Sequence, residues 1–166
     1  MIKFLDLKKI NVQQLSNNSK PSLKISHMID FNNKLTEDET VELLMKFLKS
    51  DGYKILDFCK GHKRGIDITA EKSNRKLLVE VKGARANHNS KIKKRPYFDS
   101  GQIKDHFGKA IVKSLEVKSD YPECDIAIAH PNDELIKKHI NKSVSHLSKL
   151  DIIHFWVSKD GSVTKI

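Results

Sequence analysis

Leu77-Leu78-Val79-Glu80-Val81-Lys82-Gly83 decides how this chain reads. Its aliphatic and β-branched residues favour an extended strand, and the glycine marks where the strand stops. Along a strand, side chains two apart share a face. Glu80 and Lys82 therefore project together, roughly 6.6 Å apart at about 3.3 Å per residue. Leu77, Val79 and Val81 take the opposite face. Upstream, Ile66-Asp67-Ile68-Thr69-Ala70 reads as a second strand, with Asp67 pointing opposite to Ile66 and Ile68. The polar run Lys72 to Lys76 joins the two as a hairpin. Once they pair, one face holds Asp67, Glu80 and Lys82 together.

Two carboxylates and an ammonium on an otherwise apolar sheet need partners, because uncompensated buried charge is costly. A divalent cation meets that need. Mg²⁺, or Mn²⁺ in its place, takes oxygen ligands, and Asp67, Glu80 and the Val81 carbonyl can supply them. Such an ion lowers the pKa of a bound water and offsets charge on a phosphate. Lys82 would then orient or deprotonate the water, or stabilise the developing charge. For an isolated E-x-K, the plain alternative is an exposed Glu–Lys pair beside a sheet. The Gly-Ile-Asp stretch, the helix before it and the glycine after Lys82 weigh against that alternative here.

Working outward, Thr36-Glu37-Asp38-Glu39 is a capping box that opens a helix. Val41, Leu44, Phe47 and Leu48 follow at helical spacing, and Asp51-Gly52 ends it. Tyr53 to Phe58 reads as a strand. Gly61-His62-Lys63-Arg64-Gly65 is a tight basic turn. Residues 84–98 form a polar, basic loop broken by Pro96. Ser100 is the expected cap of a helix from Gly101 to about Val117. Cys124 to Ala129 is a short strand, and Asn132 opens a third helix with Ile136, Ile140, Val144 and Leu147 on one side. Ile152 to Val157 is a buried strand, and Asp160-Gly161 turns into a last one, Ser162 to Ile166. The order of helix, three strands, helix, strand, helix, two strands gives an α/β or α+β domain with a mixed sheet. Residues 1–35 form an N-terminal extension, with a β-hairpin expected around Leu23 to Phe31; residues 36–166 form the domain.

Taken in order, these elements resemble the PD-(D/E)XK nuclease superfamily, which includes restriction endonucleases and Holliday junction resolvases. Ile66 stands where the nominal motif has proline. The resemblance covers residues 36–83 well and 100–166 more loosely. It implies a restriction endonuclease-like three-layer core, a mixed β-sheet flanked by helices. It also implies an Mg²⁺-dependent endonuclease, a hydrolase of phosphodiester bonds, with DNA as the expected substrate. Many members add an acid from the first helix. Glu39 and Glu42 are the candidates here, with Glu42 slightly preferred because Glu39 already serves the capping box. Some members carry a glutamine in the helix after the E-x-K strand, a place that Gln102 occupies, with His106 one turn on. Gln102 would hold the lysine, a water or a phosphate; a plain polar residue in a first helical turn is the alternative.

Bulk properties agree with a polyanionic partner. The chain has 166 residues, enough for one domain with a sizeable core, and a formal net charge of +10. Residues 85–118 contain nine Lys or Arg against three acids. Arg85, Lys91, Lys93, Lys94, Arg95 and Lys104 would track a phosphate backbone, with Lys63 and Arg64 facing the substrate strand; a solvated basic loop is the alternative. Tyr97 and Phe98 either stack on unpaired bases or anchor the loop to the core. Two widely separated cysteines, Cys59 and Cys124, argue against a zinc knuckle or a disulfide framework. The histidines show no H-x-H or H-E-x-x-H spacing, and no glycine-rich phosphate loop is present. No run approaches the roughly 20 apolar residues that span a bilayer, so no membrane partner and a cytoplasmic location are expected. A homodimer is left open. The alternative function is a catalytically inactive, nucleic-acid-binding module of the same fold within a larger complex.

Overall fold

The computed structural model describes residues 34–61, 65–88 and 96–166. The hairpin expected around Leu23 to Phe31 lies outside them, as does the rest of the N-terminal extension except residues 34 and 35. In chain order the elements are α1 (Glu37–Ser50), β1 (Lys54–Phe58), β2 (Ile68–Lys72), β3 (Arg75–Val81), α2 (Ser100–Asp120), β4 (Asp125–Pro131), α3 (Glu134–Val144), β5 (Ile152–Val157) and β6 (Val163–Lys165). This is the order read from the sequence. The strands form one mixed sheet in the order β1-β2-β3-β4-β5-β6. The β1-β2-β3 meander is antiparallel, β3, β4 and β5 run parallel, and β6 returns antiparallel on β5. Parallel neighbours need long crossovers, and α2 and α3 supply them.

Three layers result. Leu44 and Leu48 of α1 pack on Ile68, Val79 and Val81 from one face of the sheet. Ile103, Phe107 and Ala110 of α2 join Ile136 and Ile140 of α3 over Ile128, Ile152 and Trp156 on the other. The buried residues of the central strands are therefore divided between the two faces by parity. The parity of β3 puts Leu77, Val79 and Val81 under α1, and turns Leu78, Glu80 and Lys82 toward α2.

Local chemistry fixes the element ends. The Thr36 hydroxyl accepts the Glu39 N–H at 3.2 Å, and the Glu39 carboxylate accepts the Thr36 N–H at 2.7 Å. The β2–β3 turn is confined to Ser73 and Asn74, both left-handed (φ 52° and 63°), the twist that suits a two-residue hairpin. The strands thus reach further into the polar run than its composition suggests. Other boundaries shift from expectation, three of them at a bend or a cap. β2 starts at Ile68, so Asp67 lies just before the strand rather than within it. Asp99, not Ser100, caps α2, which runs on to Asp120. Asp133 caps α3, because its carboxylate accepts the Leu135 and Ile136 N–H groups.

Two polar features sit within this frame. Lys34 and Asp133 form a buried ion pair (2.5 Å) that ties the segment before α1 to the start of α3. His130 of β4 and His154 of β5 meet ring to ring inside the α2/α3 core, with Nδ1 and Nε2 3.1 Å apart. Among the described residues, no helix is long and apolar enough to cross a membrane.

Candidate active site

The end of β3 carries the cluster. Glu80 is only 8% exposed. The Lys82 ammonium donates to Glu80 Oε1 at 2.5 Å and to the Val81 carbonyl at 3.0 Å. Antiparallel pairing of Ile68 with Val79 brings the residues preceding β2 alongside the end of β3. There Asp67 Oδ2 accepts the Val81 N–H at 2.7 Å. The structure thus brings Asp67, Glu80, Val81 and Lys82 together, although the side chain of Asp67 is aimed by a bend rather than by strand alternation.

Two further residues complete the cluster. Lys113 reaches in from α2: its ammonium pairs with Glu80 Oε2 and donates to the Gly65 carbonyl at 2.7 Å. Glu37 approaches from α1, with a carboxylate oxygen 3.8 Å from the Lys82 ammonium. Its position depends on Gly83. A Cβ on Gly83 would lie 2.5 Å from the Glu37 nitrogen and 2.8 Å from the Thr36 carbonyl carbon. Only glycine lets the N-terminus of α1 settle on the end of β3. The acid that α1 contributes is therefore its first residue, and a residue deeper in the helix is not brought in.

Burial and mutual repulsion set the protonation states. Burial raises the Asp67 pKa to about 7, with the Glu80 charge adding to it. Burial likewise raises Glu37, against the opposing pull of Lys82. For Lys82, burial alone would lower the pKa, but Glu80 and then Glu37 outweigh it, and the net shift is upward. Lys82 is therefore a fixed cation at neutral pH. His106 is lowered by burial and by the Lys82 charge, which keeps it a neutral ring at the cluster's edge.

The remaining expected residues are placed as follows. Glu42 pairs with Lys60 at 2.5 Å on the surface, away from Lys82. Glu39 is held in the capping box and faces Arg85 at 3.4 Å. Gln102 is the reciprocal partner of the Asp99 cap, its side-chain oxygen accepting the Asp99 N–H at 3.2 Å. Lys104 is exposed on α2 and does not line the clefts at the cluster. Phe98 packs edge-on against His106 (4.5 Å between ring centres) and joins the α2/α3 core, which favours the anchoring role considered for it. Lys63, Arg64, Lys91, Lys93, Lys94 and Arg95 lie outside the described residues.

Two open clefts meet at the cluster and share Glu37, Glu80, Lys82 and Lys113. One, about 440 Å³, continues past Arg85, His106 and Lys109. The other, about 700 Å³, continues past Asp67, Glu116 and Asp120. Together they form a groove that crosses the carboxylates. Sequence reasoning missed Glu37, and counted Lys113 only as one of nine basic residues. The glycine straight after the E-x-K strand was the available signal for Glu37, because it marks a close backbone approach. Nothing local marks Lys113, which reaches Glu80 only through the crossover.

The donor chemistry fits a hard divalent cation. Asp67, Glu80, Glu37 and the Val81 carbonyl offer oxygen only, and burial together with the Glu80 charge raises the pKa of Asp67 and of Glu37, a penalty that a cation would relieve. In the present side-chain arrangement, no group of three or more His, Cys, Asp or Glu among the described residues is set to hold an ion. Both Glu80 oxygens face lysines there, and Asp67 Oδ2 faces a backbone N–H.

No family model matches this chain, and no curated protein does. Its fold is similar to that of an XisH family protein from Nostoc punctiforme PCC 73102, with a TM-score of 0.50 at 15% identity, over 76% of this chain and 97% of that one. An fdxN element excision controlling factor protein from Anabaena variabilis gives a TM-score of 0.46 at 17% identity, over 76% and 96%.

Proposed function

We propose that the chain is a metal-dependent nuclease that hydrolyses phosphodiester bonds, with DNA as the substrate. The observation that carries this reading is the buried meeting of Asp67, Glu80 and Lys82 at the floor of an open groove, with Glu37 and Lys113 beside them. Charge so concentrated costs stability unless a ligand uses it. The fold shared with the XisH family protein supports the architecture alone.

Asp67, Glu80 and the Val81 carbonyl would hold Mg²⁺, which supplies a nucleophilic water and stabilises phosphate charge when bound. The protein's own groups do the rest. Lys82, kept cationic by Glu80 and Glu37, stabilises charge growing on the phosphate and orients the water. Deprotonating that water would first require the bound ion to offset the Glu80 and Glu37 charges that hold Lys82 cationic. Lys109 and Arg85 line the groove where a phosphate backbone would run. The +10 net charge raises the local concentration of such a substrate.

One observation favours the inactive binding module instead: Glu80 is already neutralised by two lysines. Cleavage assays separate the two readings. Supercoiled, linear and single-stranded DNA, and RNA, are incubated with Mg²⁺ or Mn²⁺. The nuclease reading expects cleavage that Asp67→Ala abolishes and Lys82→Ala lowers by about 10²–10³-fold. Cleavage surviving both substitutions would remove the site. Salt-sensitive binding without any cleavage would leave the module.

A further inference from the structure

Lys113, like Glu37, is a part of the cluster that no strand motif accounts for. Its ammonium sits between Glu80 Oε2 and the Gly65 carbonyl, the latter at 2.7 Å. Glu80 thereby carries one lysine on each oxygen, Lys82 on Oε1 and Lys113 on Oε2. The two lysines are not equivalent. The Lys82 side chain is 16% exposed and is held by Glu80, the Val81 carbonyl and Glu37. The Lys113 side chain is 38% exposed and lies at the rim of both clefts. A lysine stem has four rotatable carbons, so an ammonium at a rim has a route into water once Glu80 gains another partner. Of the two cations on Glu80, Lys113 is the one free to leave.

We propose that Lys113 is a displaceable counter-ion: it holds Glu80 while the cluster carries no divalent cation, and competes with that cation for the Glu80 carboxylate. It thereby sets the cation concentration at which the cluster fills. This inference rests on the metal-dependent reading above. A doubly charged ion outcompetes a single ammonium, but it must first undo the Lys113–Glu80 pair. It also meets an ammonium that stays at the rim. Both effects weaken apparent binding.

The test is titration of Mn²⁺ into the full chain, without DNA, followed by calorimetry. Wild type is compared with Lys113→Gln, Lys113→Arg and Glu80→Gln, and circular dichroism checks that each is folded. Removing one unit charge in contact with Glu80 is expected to tighten Mn²⁺ binding about tenfold in Lys113→Gln, a value between the fully hydrated and partly buried Coulomb limits. Lys113→Arg keeps the charge and is expected to bind as wild type does. Glu80→Gln is expected to lose most of the binding. Lys113→Met serves as the neutral variant if Lys113→Gln does not fold. Unchanged or weaker binding in the neutral variant, with Glu80→Gln still defective, overturns the role of Lys113 and leaves the metal reading standing. Binding that Glu80→Gln does not alter, or its absence in wild type, overturns both.

Discussion

Asp67 shows what the cluster costs when it stands alone. Its pKa is raised to about 7, first by burial and then by the Glu80 charge. A carboxylate whose folded pKa lies above its unfolded value contributes fully below the unfolded value, near 3.8, and loses that contribution as pH rises through about 7. Above pH 7 the folded protein holds a repelled, partly buried anion. Asp67→Asn, which still offers an oxygen to the Val81 N–H, is therefore expected to stabilise the chelator-treated protein at pH 8. The gain is on the order of 2 kcal/mol after discounting for partial exposure, and little should remain at pH 4. Urea unfolding at the two pH values measures it. Equal effects at both would mean that Asp67 is not under this repulsion. A group kept where it destabilises the fold points to a role in function.

At the scale of elements, the junction of α1 with β3 decides where the helix delivers its acid. The capping box sets the start of α1 at Glu37, and Gly83 lets that start come down on the strand end. These two devices should fail differently. Thr36→Ala removes one cap hydrogen bond and is expected to cost about 1 kcal/mol in thermal or urea unfolding. Gly83→Ala drives a Cβ into backbone atoms of Thr36 and Glu37 that have no side-chain freedom to yield. It is expected to cost about 1–3 kcal/mol or more, and to reduce cleavage by moving Glu37 from Lys82. A Gly83→Ala protein with wild-type stability would show that the close approach is not required. The α2 cap carries a related lesson. Gln102 had two candidate roles, and its bond to the Asp99 N–H shows the structural one in use.

Across the whole molecule, the sheet is held from both sides, and the His130–His154 pair is buried in the core beneath α2 and α3. Burial lowers His154 to about 3, and lowers His130 well below the ordinary histidine value, with the neighbouring ring adding to it. Both rings are neutral when folded. For such a group the stability is fully present above the unfolded pKa, near 6.5, and is lost as pH falls toward the folded value. From pH 6.5 downward each ring should cost up to about 1.4 kcal/mol per pH unit. Urea midpoints between pH 7 and 4.5 are expected to fall steeply, and the double variant His130→Leu/His154→Leu should flatten the decline. An unchanged slope in the double variant would move the acid sensitivity elsewhere.

The sequence by itself determined the element order, the parity of β3 and the membership of Asp67, Glu80 and Lys82 in one cluster. These follow from spacing along single elements and from turn and cap chemistry, which act within a few residues. The mixed six-stranded sheet between two helical layers was likewise legible, because alternating helices and strands allow few packings. Only the tertiary structure decided which outside residues reach the cluster. Glu37, rather than Glu39 or Glu42, arrives because Gly83 admits a backbone contact between distant segments. Lys113 arrives because the α2 crossover lays one helix face against the end of β3. The bend at Asp67, which turns its carboxylate onto the Val81 N–H, belongs to the same class. Such contacts join residues far apart in the chain, and no local periodicity records them.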